Sequence, residues 1–268
     1  MNILVLGDVM GPSGRNAVKK FLPELIEENK INFSVINGEN AADDGKGITR
    51  EIAEEFFLQG IDVITSGNHI WDKNETTSYI EKERRLLRPA NLAEGSPGKG
   101  FGIYLSKDKR FKLGVINLMG NVFMRKTDDV FKTAQSICKK IILKKNVDFS
   151  IIDFHGEITS EKMAMGHFFD GLTTCFVGTH THVPTADTRV LEKGTAYQTD
   201  IGMCGDYNSV IGMNKENSIK KFLKEKDAIA HYPSVGEGTL SGIVVEADEL
   251  TGLAKKVSRI IVGGTLTR

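Results

Sequence analysis

The sequence predicts an α/β fold in which two mixed sheets pack together with helices outside. Two observations carry this: apolar strand-like runs alternate with amphipathic stretches through the first half, and closely spaced strands in the second half invite hairpins. Residues 2–6 are a short apolar strand, and after Gly11, Pro12 and Gly14 a helical pattern runs over 15–28, with Val18, Phe21, Leu22 and Leu25 on one face. Residues 33–36 form a second strand, and 49–59 a second helix with Thr49 as its cap and Gly60 at its end. Residues 63–65 form a third strand, and this β-α-β-α-β rhythm implies parallel strands with helices on their faces. Strands at 102–105 and 112–117 read as a hairpin, followed by a helix over 129–144 and strands at 149–153 and 173–177. Residues 242–246 and 254–261 read as a terminal hairpin. No repeat, low-complexity tract or linker divides the chain, so residues 1–268 are expected to form one domain.

Composition narrows the function classes. Thirty-five basic residues balance 35 acidic ones, so there is no general attraction for nucleic acid or an anionic membrane, and no stable nucleic-acid complex is expected. No apolar run approaches the roughly 20 residues of a membrane span. The apolar stretch of MNILVLGDVMG stops at Asp8 and reads as a strand rather than a signal peptide. Cys138, Cys175 and Cys204 are widely spaced and odd in number, which fits a reducing compartment; a cytoplasmic location is expected.

The chemistry lies where polar residues fall relative to strand ends. Asp8 follows the first strand, Glu39 and Asn40 the second, Asn68 and His69 the third, His155 a later one, and His180 and His182 another. In open α/β sheets the site lies at the carboxyl ends of strands, so five segments deliver candidate ligands to one region. Taken singly, Asp8 reads as a turn or cap, Asn40 and Asn68 as turn formers and His155 as a structural histidine; five successive strand ends together do not. On an extended backbone His180 and His182 would point to the same side, their Cα atoms about 6.5–7 Å apart. Such a pair can serve one metal, or two about 3.5–4 Å apart. Glu39 or Asp8 could supply the carboxylate between two cations. The mix of imidazole, carboxylate and amide donors suits iron, manganese or zinc better than calcium or magnesium. His167 reads as structural; Arg15 reads as a solvated helix-face residue, with contact to a substrate phosphate as the alternative; Gly45-Lys46-Gly47 and 98–102 read as flexible turns that could border the substrate pocket.

Gly7-Asp8-x-x-Gly11, Gly38-Glu39-Asn40, Gly67-Asn68-His69, His155 and Gly178-Thr179-His180-Thr181-His182 together resemble the calcineurin-like metallophosphoesterases. Met10 stands where that family's first motif has histidine, Glu39 where a bridging aspartate is expected, and Ile70 where an acid follows Asn-His. These departures are similar to the YmdB-like branch, bacterial cyclic-nucleotide phosphodiesterases. Asp43, Arg88-Pro89-Ala90-Asn91 and Thr199-Asp200-Ile201-Gly202-Met203 extend the likeness over nearly the whole chain. The resemblance implies a four-layer α/β/β/α sandwich of two mixed sheets flanked by helices, the metallophosphoesterase fold. It implies one metal on Asp8, Glu39, Asn40 and His182, and a second on Glu39, Asn68, His155 and His180, with Glu39 bridging. His69 matches the catalytic histidine.

The expected activity is a dinuclear metal-dependent phosphodiesterase. Its two ions, iron or manganese with zinc as another option, would share a hydroxide that attacks phosphorus while His69 protonates the leaving oxygen. The expected substrate is a small phosphodiester, a 2′,3′- or 3′,5′-cyclic nucleotide. A phosphomonoesterase of the nucleotidase kind, or a metal-containing nucleotide-binding regulatory protein, would use the same ligands; an amidohydrolase fits the motif order poorly. Association into a dimer or tetramer suits such an enzyme, but no patch in the sequence specifies it.

Overall fold

The computed structural model describes residues 1–266. In chain order the first elements are β1 (Asn2–Val9), α1 (Gly11–Glu28), β2 (Phe33–Asn37), α2 (Arg50–Leu58), β3 (Val63–Thr65) and α3 (Asn74–Ile80). Next come β4 (Phe101–Leu105), β5 (Lys112–Met119), α4 (Val130–Cys138), β6 (Phe149–His155), α5 (Thr159–Phe168) and β7 (Cys175–Thr179). The last are β8 (Arg189–Val190), β9 (Ala196–Gln198), β10 (Met203–Cys204), α6 (Lys215–Phe222), β11 (Leu240–Ala247) and β12 (Ala254–Val262).

One sheet has the order β12-β11-β1-β2-β3, with β10 beside the end of β1; the other has the order β4-β5-β6-β7-β9-β8. β1, β2 and β3 are parallel, as are β5, β6, β7 and β9. The expected hairpins are present, β4 antiparallel to β5 and β11 antiparallel to β12, which makes both sheets mixed.

Alternation along the strands builds the layers. Ile3 and Val5 of β1 pack with Val115, Ile151 and Val177 of the second sheet, while Leu4 and Leu6 face Val18, Leu22 and Phe56 of the helices. On the far side Ile152, Phe154 and Phe176 pack under Ala134 and Met165 of α4 and α5. Three apolar cores therefore separate four layers, α/β/β/α.

Several boundaries differ from expectation. α1 starts at Gly11 instead of 15, because Pro12 suits a first helical turn, where its missing N–H leaves nothing unpaired. α2 keeps its Thr49 cap, whose hydroxyl accepts from Ile52 N at 3.3 Å. The helix expected to reach 144 stops at Cys138; Asn146 Oδ1 takes the N–H of Ile142, and Lys144 turns into a left-handed conformation (φ +58°). β7 begins two residues late, since the Thr173 and Thr174 hydroxyls bond backbone carbonyls of Ser150 and Gly252. No helix among the described residues is long and apolar enough to cross a membrane.

Candidate metal centre

Five strand ends converge where the two sheets meet. Asp8 lies within β1, one residue before its end, rather than beyond it, and His155 is the final residue of β6. Close packing of β1 on the 201–202 segment requires Gly7, where a Cβ would stand 1.9 Å from Gly202 O. After β2, Asn37 Oδ1 accepts the Glu39 N–H at 3.1 Å and turns Glu39 inward. After β3, Gly67 gives the site its room: a Cβ there would stand 2.2 Å from His155 Cδ2 and 2.3 Å from Glu39 Oε2. Asp8, Glu39, Asn40, His155 and His182 are buried; Asn68, His69 and His180 are partly exposed.

The structure brings the expected ligand residues together. His155 Nε2 lies 2.9 Å from Glu39 Oε1, 3.2 Å from Asn68 Oδ1 and 3.0 Å from His180 Nδ1. Asp8 Oδ2 accepts the His180 N–H at 3.0 Å, and His182 Nε2 lies 3.3 Å from Asn40 Oδ1. The backbone differs from expectation at one point. His180 and His182 are not on an extended strand; both adopt positive φ, +101° and +63°, in the turn after β7. Backbone strain of this kind in non-glycine residues survives only where the surroundings impose it. Here Asp200 Oδ2 accepts from Thr181 N at 3.0 Å and Thr181 Oγ1 at 2.7 Å, and is itself held by buried Lys162 at 2.8 Å.

Each histidine is anchored through one ring nitrogen. The Thr179 hydroxyl donates to Asp153 Oδ1 (2.8 Å), so it accepts from His155 Nδ1–H at 3.0 Å. His182 Nδ1 donates to Ile211 O at 2.8 Å, and His180 Nε2 donates to Glu157 Oε2 at 3.1 Å. These contacts leave His155 Nε2, His182 Nε2 and His180 Nδ1 with inward lone pairs when neutral. Asn40 Nδ2 donates to Gly45 O at 2.8 Å, which turns Asn40 Oδ1 inward as well. With all three rings neutral, acceptor would face acceptor, and Asp8 Oδ1 is buried with no hydrogen-bond partner, 3.6 Å from His155 Nδ1. Glu39, His155 and His180 offer ligand atoms all within 4.8 Å of one another. Converging imidazole, carboxylate and amide ligand atoms of this kind fit cations of the transition series.

The charges answer to the same crowding. Burial pushes the Asp8 carboxyl up to about 6, although His182 and His155 pull it down. Burial also opposes charge on Glu39 and His155, but their mutual attraction wins, holding Glu39 at about 2 and raising His155 to about 9. Burial and the nearby His155 charge lower His180 to about 3.

His69 stands apart from the other histidines. Its backbone N–H donates to Glu39 Oε2 at 3.1 Å, while its ring Nδ1 meets Asp72 Oδ2 at 2.7 Å. Asp72 was not among the expected residues; it provides, three positions after His69, an acid where Ile70 lacks one. Glu157 and Lys162 were also missed, as was the role of Asp200, which entered only as part of the Thr199–Met203 motif; Glu157, two residues after His155, carried a local signal. Arg15 is not a solvated helix-face residue: it donates to Ala41 O and Asp43 Oδ1 at 2.5 and 2.6 Å, bracing the loop after Asn40. Gly45 and Gly47 are turns with positive φ, and His167 lies on the exposed face of α5 near Tyr197.

A family model described as YmdB-like protein matches residues 4–260. The chain is 45% identical over 262 residues to a 2′,3′-cyclic-nucleotide 2′-phosphodiesterase of Bacillus subtilis (strain 168), covering 98% of this chain and 97% of that protein. It superposes on the crystal structure of a phosphatase from Mycoplasma pneumoniae with a TM-score of 0.89 at 35% identity, covering 98% of this chain and 93% of the other. A Candida albicans 5′-nucleotidase shares the fold alone, with a TM-score of 0.55 at 13% identity over 97% of this chain and 51% of that one.

Proposed function

The chain belongs to the YmdB-like family, and on that premise we propose that it is a metal-dependent phosphodiesterase that opens 2′,3′-cyclic nucleotides. The observation that supports the metal requirement is the convergence of Glu39, His155 and His180 ligand atoms within 4.8 Å, beside a buried Asp8 Oδ1 that has no hydrogen-bond partner. The substrate class rests on the 45% identity to the Bacillus subtilis enzyme of that name.

Asp8, Glu39, Asn40 and His182 would hold one ion, and Glu39, Asn68, His155 and His180 the other, with Glu39 shared. Mixed nitrogen and oxygen donors favour iron or manganese, with zinc also accommodated. Bound there, such ions would supply Lewis acidity towards the phosphoryl oxygens and towards a water. The chain's own residues do the rest. Gly67 lets His155 and Glu39 close on the centre. Asp72 fixes the His69 ring through Nδ1, so that Nε2 is the atom free to deliver a proton to the leaving oxygen. Three unpaired cysteines support a reducing, cytoplasmic setting.

The test is incubation of chelator-stripped protein with 2′,3′-cyclic AMP, before and after Mn²⁺ is restored, with the products resolved by chromatography. Ring opening to 3′-AMP only with metal is expected. An intact cyclic ester alongside conversion of 3′-AMP to adenosine would assign the site to a phosphomonoesterase instead.

A further inference from the structure

The mechanism leaves the segment between β5 and α4 unused, although it adjoins the centre at two points. It departs beside His155, the ladder partner of Met119, with Gly120 N donating to His155 O at 3.0 Å. Five residues later Arg125 Nη2 lies 4.0 Å from Asp72 Oδ1, the carboxylate whose other oxygen holds His69. Residues 121–124 are therefore strung between two flanks of the same site.

The base of this segment is pinned. Glu161 accepts from Asn121 N and Val122 N at 2.8 and 3.3 Å, and Asn121 Nδ2 donates to Thr127 Oγ1 and Asp128 O at 2.8 and 3.0 Å. Asn121 Oδ1 caps Val130 N at 2.9 Å, and Asn91 Nδ2 donates to Thr127 Oγ1 at 2.9 Å. On this fixed base Phe123 is 84% exposed and sits in the left-handed region at φ +58°. A bulky aromatic residue rarely adopts that conformation, and one that buries nothing contributes little to folding. A strained, exposed aromatic on a braced loop beside a phosphoester site is the form of a binding device.

The geometry points to residues 121–125 as the part of the chain that recognises the nucleobase, with Phe123 as its stacking face. Every base offers a π-face, so such a platform binds nucleotides without selecting one base strongly. Arg125, 4.0 Å from Asp72, brings the end of the segment beside the Asp72–His69 pair. This inference rests on the reading of the centre as a cyclic-nucleotide phosphodiesterase.

The experiment compares 2′,3′-cyclic AMP with glycerol 1,2-cyclic phosphate, the same strained diester without a base, in Mn²⁺-loaded wild-type, Phe123→Ala and Phe123→Tyr proteins. For the nucleotide, Phe123→Ala should raise KM roughly 5- to 150-fold with kcat nearly unchanged, as loss of one base–aromatic stack predicts. Phe123→Tyr should restore KM, and the base-free ester should not distinguish the three proteins. An unchanged nucleotide KM in Phe123→Ala, or an equal loss on both esters, overturns the inference while leaving the phosphodiesterase reading intact. Wild-type protein that opens neither ester overturns that reading, and the inference with it.

Discussion

Asp8→Asn should make the metal-free protein more stable and the metal-loaded protein less so. Asp8 is fully buried, and its Oδ1 has no partner. A carboxyl pushed from 3.8 to about 6 by burial opposes folding by about 3 kcal/mol once ionised, an order-of-magnitude figure. The sign follows from linkage: below pH 3.8 both states carry the proton and nothing is lost. Between 3.8 and about 6 the unfolded chain ionises first and stability falls; above about 6 the full penalty applies. The amide removes the charge and can still accept the His180 N–H. At roughly 2–4 °C per kcal/mol for a chain of this size, Tm should rise by up to roughly 10 °C at pH 7.5 in chelator. Mn²⁺ at 1,000 times Kd should reverse the order, because the ion that Asp8 would hold then adds about 4.1 kcal/mol to wild type alone, more than the penalty it offsets. Differential scanning fluorimetry with chelator or with Mn²⁺ reads both effects. Loss of stability in chelator, or an undiminished Mn²⁺ shift in the variant, would refute the placing of Asp8 as a charge held for a cation.

His69→Ala should lower kcat about 10²- to 10⁴-fold while metal content, read by plasma mass spectrometry, stays at the wild-type level; loss of metal would recast His69 as a ligand. Lys162→Met leaves the Asp200 carboxylate buried without its cation, so urea unfolding should show a loss of about 3–5 kcal/mol. Since His155 is raised to about 9, its proton stabilises the metal-free fold fully below 6.5, and that contribution is lost as pH rises through about 9. Mn²⁺ must displace the same proton, so its apparent affinity should climb with pH up to about 9 and then level off. Calorimetric titrations at several pH values, in buffers of different ionisation enthalpy, measure that proton directly.

Much of this site could be read from the sequence because its donors lie at strand ends. The runs before Asp8, Glu39, Asn68, His155 and His180 are apolar and β-branched, and such runs announce both the strand and the point where it stops. The four layers follow from the same alternation. What escaped detection is what depends on distance. Glu157, the Ile211 carbonyl and the Lys162–Asp200 pair fix the histidine rings and their turn, through contacts set only when α5 and the 199–211 segment pack beside β7. α5 itself buries only Lys162, Met165 and Gly166, and α6 only Asn217 and Ser218, too little apolar surface for a helical period. β8, β9 and β10 have two or three residues each, shorter than any readable pattern. The extended geometry expected for His180 and His182 failed because buried Asp200 captures the intervening Thr181 and forces the chain into a turn.

On the proposed reading these side chains hold two ions that share Glu39. Metal analysis of Mn²⁺-loaded, desalted wild-type and His182→Ala proteins tests it most directly. Two ions per chain in wild type, falling to one in the variant, is the predicted result. A single ion in wild type, or a stoichiometry indifferent to His182, would contradict it.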